Sequence, residues 1–197
     1  MKDIQILKKP EYFFKEVLEK ALRNQNVEAS PEAAFYLVNL LSEFIQTEKL
    51  FDTQKEGLRS CEPLALKYSK ALQEDRVQKI KLLKETGDLS LYVSGFFGES
   101  LNRSLVDITY YISMGETAYS NLSELIQEKV FREVFAELSG NFVKFVDILA
   151  EISHHSLGHS QKSLLSLYEQ WIKTRSSRLY KLLVQRVILP LDPVLES

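Results

Sequence analysis

Glu99, Arg103, Asp107 and Tyr111 recur every four residues in GESLNRSLVDITYYISMGETAYSNL, Gly98 to Leu122, with Tyr110 and Met114 beside them. A row of carboxylate, guanidinium and phenol groups suits a ligand-binding or catalytic pocket, although it forms no diagnostic motif. On a helical wheel Leu101, Leu105, Ile108 and Ile112 cluster on one side and the polar row occupies the other. Three arrangements fit this pattern. The row can be a solvated i,i+4 ladder, with each pair contributing roughly a few tenths of a kcal/mol. It can be a buried network in which every charge has a partner, or it can line a pocket. The apolar area of Tyr110, Tyr111 and Met114, and the glycines at 95, 98 and 115, favour burial.

A second chemically suited residue is Arg175, in SLLSLYEQWIKTRSSRLYKLLVQRV. It falls within the apolar arc formed by Leu164, Leu165, Tyr168, Trp171, Ile172, Leu179, Leu182 and Leu183. Five guanidinium donors among core positions require a carboxylate or several carbonyls. Asp107 is the expected partner, in a buried pair; the competing arrangement is an arginine that snorkels at the rim. The candidate ligand site is therefore Glu99, Arg103, Asp107, Tyr110, Tyr111 and Arg175. The same helix carries six basic residues against one acid, Glu169. A basic amphipathic helix can meet nucleic acid, a membrane surface or an acidic partner. Trp171 and the leucines argue instead for a helix facing the core.

All three histidines lie in EISHHSLGHS. Glu151 and His154 have the Glu-x-x-His spacing of di-iron carboxylate bundles, which require a second such pair, and the chain has no other histidine. Glu151, His155 and His159 could hold one zinc or iron ion from a shared helix face. Their position opposite the neighbouring apolar seam, with Gly158 ending the helix, favours an exposed cluster at a helix end, where histidines suit the dipole. No metal and no cofactor are expected. No phosphate-binding glycine loop, dinucleotide fingerprint, nucleophile elbow or cysteine-based metal motif occurs. Cys61, the one cysteine, reads as a lone thiol.

These residues need a scaffold, and the composition is that of a globular protein: 197 residues, 45% hydrophobic, 26% charged, net charge −2. The start MKDIQILKKPEYFF has no apolar signal region, and no apolar run approaches the ~18 residues of a membrane helix. A cytoplasmic protein without membrane insertion follows as the expectation. The prolines stand at 10, 31, 63, 190 and 193, leaving 64–189 free of them, and strand signals are nearly absent.

The chain reads as all-α, a single multi-helix bundle of six to eight helices, two or three of them long. It forms one domain over 1–197, with 1–9 a flexible N-terminus and 190–197 a tail. A first helix opens at Pro10, with Phe13, Phe14, Val17, Leu18 and Ala21 as its stripe. Ser30-Pro31-Glu32 starts a second, with the serine as N-cap. A third runs from Pro63 to Thr86, stopped by Gly87, after which Asp88 caps a short helix weakened by Gly95 and Gly98. Gly115 breaks the next. Phe131, Phe135, Leu138, Phe142, Phe145, Leu149 and Ile152 follow a 4-3 spacing, an a/d seam of three heptads. A last helix runs from Ser160 to just before Pro190.

These features favour a non-catalytic protein-interaction or regulatory module. It would bind a protein partner, or itself as a homodimer, through an apolar helix face. Nucleic acid is not an expected partner. The alternatives are a small-molecule-binding protein or enzyme using the Arg103–Tyr111 row, and a metal- or haem-dependent helical oxidoreductase.

Overall fold

A computed structural model describes residues 10–51, 63–101, 107–157 and 170–188. The fold is an all-α bundle, as the periodicity requires. In order come α1 (Pro10–Gln25), α2 (Pro31–Phe51), α3 (Leu64–Gln73), α4 (Arg76–Leu101), α5 (Ile108–Leu125), α6 (Lys129–Gly140), α7 (Phe142–Leu157) and α8 (Ser177–Ile188), with residues 170–174 also helical. No described helix is long and apolar enough to cross a membrane. Residues 1–9, 52–62 and 189–197 lie outside the described residues, and with them the expected N-terminal segment and tail.

The helix ends follow local chemistry. α1 stops at Asn26, whose φ of 56° is left-handed. Val27 N–H then donates to Leu22 C=O and Asn26 N–H to Arg23 C=O, a Schellman closure. Ser30 caps α2 as expected, its hydroxyl accepting from Ala33 N–H at 3.1 Å. Its own N–H reaches Glu137 of α6 at 2.9 Å, so a distant acid completes the cap.

α4 packs along α5 and α7 and forms the centre of the bundle, with α1 and α2 against α7 and α6. Phe14, Leu18, Leu37, Leu41, Leu83, Leu91, Tyr119, Phe142, Phe145 and Leu149 are among the core side chains.

Three sequence expectations change here. The expected helix from Pro63 to Thr86 is two helices, because Asp75 supplies a cap: its Oδ1 accepts from the N–H groups of Val77 and Gln78 at 2.9 and 3.1 Å. α4 then passes unbroken through Gly87, Gly95 and Gly98, and α5 through Gly115. Glycine ends a helix where the chain turns left-handed; none of these does so, and they serve close packing instead. A Cβ at Gly87 would overlap the Tyr119 ring, and one at Gly115 would overlap Phe142 and approach Ser90 Cβ to 2.9 Å. Finally, the Phe131–Ile152 seam is divided by a turn at Asn141. Its two halves meet different neighbours, α6 lying on α5 and α2, and α7 on α4 and α1. Phe135 through Ile152 are buried, while Phe131 stays exposed.

Substituting the glycines tests this account. Gly115→Ala should destabilise the fold by about 1–3 kcal/mol through overpacking. Gly140→Ala, where a Cβ would meet nothing within 4 Å, should stabilise it by up to about 1 kcal/mol through helix propensity. Urea unfolding of the two variants beside wild type measures both signs.

Candidate functional site

The predicted row begins at the end of α4 and crosses into α5. The side chain of Glu99, and Arg103, lie outside the described residues. Asp107 is the N-cap of α5, its carboxylate accepting from Thr109 N–H. It also pairs with Lys173 Nζ at 2.8 Å. Partial burial opposes its ionisation, but the hydrogen bonds from Lys173, Thr109 and Ile108 outweigh that and hold the carboxyl below its ordinary value. Tyr110 lends its hydroxyl to the start of α3, accepting from Ala65 N–H at 2.8 Å. Tyr111 packs partly buried on the core, edge-on to Tyr110 at 5.4 Å between centroids.

The expected buried Asp107–Arg175 pair is not formed. Arg175 is exposed, with a left-handed φ of 53°. It ends the 170–174 turn by donating its N–H to Trp171 C=O at 2.8 Å. Its guanidinium lies over the Trp171 ring at 4.9 Å from the centroid. The physical reason is the turn itself. It breaks the expected long helix, swings Arg175 out of the apolar arc and leaves Lys173 to meet Asp107.

Of the metal candidates, Glu151 accepts from the side chains of Asn24 at 2.8 Å and Gln25 at 2.7 Å, joining α7 to the last turn of α1. The side chain of His155, and His159, lie outside the described residues. Among the described residues no three potential ligands converge on one point.

Two buried polar clusters were not singled out from sequence. In the first, the Asp88 carboxylate accepts hydrogen bonds from Tyr36 of α2 and, at 2.7 Å, from Tyr119 of α5, and pairs with Lys84 at 2.6 Å. The Lys84 ammonium also stands 5.4 Å over the Tyr36 ring. Burial, reinforced by the Asp88 charge, pushes both phenols far above the ordinary tyrosine value. The sequence signal was the i,i+4 spacing of Lys84 and Asp88, obscured by assigning Asp88 to a helix cap.

In the second, Asp147 of α7 accepts from the Ser176 hydroxyl at 2.6 Å, and that hydroxyl in turn accepts from Leu179 N–H at 3.0 Å, capping α8. Gln170 donates to Gly98 C=O at 2.9 Å and Ser153 to Phe96 C=O at 3.3 Å. Between these groups lies a cavity of about 30 Å³, lined by Ser94, Asp147, Ser153, Gln170, Thr174 and Arg178 among others. That is room for water rather than an organic substrate, a single water needing about 10–15 Å³ of such space. Asp107, Tyr110 and Tyr111 do not line it. Here the signal was an acid, Asp147, inside the apolar run FVKFVDILAEI.

Compared with known proteins, the chain matches no family model, no curated protein and no solved structure. A functional reading therefore rests on the geometry alone.

Two outcomes follow. Asp107→Ala should cost about 1 kcal/mol, the usual loss of an N-cap. Lys173→Ala should cost under about 0.5 kcal/mol, since both partners of that pair are more than a third exposed (36% and 38%). Chemical denaturation of both variants checks the ratio. Alkaline stability tests the phenols. Tyr36 and Tyr119 stay neutral in the fold where an unfolded tyrosine ionises, near 10.0. Their contribution is complete below that pH and is lost as pH rises above it. The urea midpoint should hold level to about pH 10 and then fall, less steeply in Tyr119→Phe.

Proposed function

We propose that the protein is a non-catalytic helical module that binds a protein partner, or a second copy of itself, in the cytoplasm. What supports the reading most directly is the apolar surface at one end of the bundle. Arg76, in the first turn of α4, donates to Leu125 C=O at the end of α5 at 2.8 Å. This places the α3–α4 turn beside the α5–α6 turn. Leu72, Val77, Val130 and Phe131 lie at these turns, and all are exposed, Val77 at 74% and Phe131 at 48%. Phe131 is the leading residue of the heptad seam whose other members are buried, so the seam extends past the folded core into solvent. Grouped exposed apolar side chains on a soluble bundle are the usual mark of a protein-binding face.

The candidate row supports the same reading, because Asp107 and Tyr110 are engaged at helix starts. Sedimentation and co-purification test the proposal together. Wild type should sediment above the 22.8 kDa of one chain, or carry a stoichiometric protein with it. The double substitution Val77→Ser, Phe131→Ser should abolish that association without lowering the unfolding midpoint. A wild-type chain that sediments alone and brings nothing with it overturns the proposal.

A further inference from the structure

The residues from 170 to 188 carry five basic side chains and no acid, in a chain whose acids outnumber its bases 27 to 25. They form an arm that is pinned at three polar points. Gln170 donates to Gly98 C=O, Lys173 pairs with Asp107, and the Ser176 hydroxyl donates to the buried Asp147. Leu179 and Leu183 turn inward and, with Trp171 and Leu182, make a small apolar cluster separate from the main core.

On the outside the arm presents Arg175 and Lys181, with Arg178 half-buried. Among the described residues these three form no ion pair. Ile172 and Tyr180 are exposed beside them, Tyr180 at 54%. Tyr180 also lies 5.9 Å from Trp171, whose ring the Arg175 guanidinium covers.

We infer that this arm is a docking surface for an acidic polypeptide segment bearing one or two apolar side chains. The inference rests on the reading of the chain as a partner-binding module, but uses a surface other than the Val77–Phe131 end. Three observations select that occupant. A guanidinium held over the Trp171 ring at 4.9 Å keeps N–H groups able to meet paired carboxylate oxygens. Leu179 and Leu183 face the bundle, so among the described side chains of the arm no apolar stripe is left to sink into a lipid surface; Ile172 and Tyr180 offer only single anchoring contacts. Only in this short arm do cations stand without acids, the rest of the chain carrying 27 acids against 20 bases, which suits a compact acidic segment and disfavours an extended polyanion such as nucleic acid. The pinned arm is also preorganised, so little ordering is needed on binding.

Trp171 is the only tryptophan in the chain, so its emission reports on the arm directly. A synthetic peptide of glutamates interspersed with leucine, free of tryptophan, is titrated against the full chain. Oligothymidylate and phosphatidylserine vesicles are titrated in parallel. The expected result is a saturable change in Trp171 emission with the peptide, weakening as salt is raised. Arg175→Gly combined with Lys181→Glu should weaken it by about tenfold or more. Glycine is the substitution of choice at 175 because it keeps the left-handed turn while removing the charge. Far-ultraviolet circular dichroism and the unfolding midpoint verify that the variant remains folded.

The Val77→Ser, Phe131→Ser variant should bind the peptide as wild type does. The arm inference then fails separately from the proposed apolar face. Unchanged emission with the peptide, or equal peptide binding by the charge variant, overturns the inference. So does tighter binding of oligothymidylate or vesicles at the same salt, which would reassign the arm to a polyanion.

Discussion

The close approach of α4 to α5 is the constraint on which the remaining architecture depends. With no side chain at Gly87, the Tyr119 ring lies directly on the α4 backbone. Its hydroxyl is thereby delivered to Asp88, one residue further along. With no side chain at Gly115, the Phe142 ring lies in turn on α5. Rings from α2, α5, α6 and α7 then meet in one cluster: Tyr36, Tyr119, Phe135 and Phe142 stand 5.4–6.5 Å apart between centroids in successive contacts. A carboxylate in such surroundings is tolerated because two phenols and an ammonium answer it. The apolar packing and the polar satisfaction are thus one arrangement: moving the helices apart would strand Asp88.

Electrostatics divides the molecule differently from packing. The main core gathers α1 to α7, while the arm from Gln170 onward has its own small apolar cluster and is joined to the rest largely through polar contacts. Its acidic anchors, Asp107 and Asp147, sit on the bundle, and its cations continue past them to the outside. The arginine expected within the core arc is among those surface cations, carried there by the left-handed turn at its own position. This asymmetry of charge also gives the protein two faces of different character. One, at the turns near Val77 and Phe131, is apolar; the other, around Arg175 and Lys181, is basic and aromatic.

Much of the fold was legible because helical periodicity depends on local spacing. The starts at Pro10 and Pro31 are set by proline and by a serine cap, which act within one turn. The burial of the apolar residues within each of α6 and α7 was likewise readable, since residues three and four apart share a face wherever the helix is placed; the turn at Asn141 that divides the expected seam was not. The misreadings at glycine share one cause. A glycine signals either a helix end or a close contact, and only the neighbour distinguishes the two; at Gly87 and Gly115 the neighbours are rings from helices distant in sequence. Arg175 was misplaced for a related reason. A wheel assumes an unbroken helix, and one left-handed residue changes every direction beyond it.

From the amino-acid order alone come the helical class, most of the apolar faces and the Ser30 cap, because each reflects interactions within about one helical turn. Tertiary structure decided which polar groups are buried and with whom they bond: Asp88 with Tyr36 and Tyr119, Asp147 with Ser176, Asp107 with Lys173. Such pairings join positions from 29 to 66 residues apart in these cases. Spacing along the chain carries no record of that choice, which is made by the rotation and separation of packed helices.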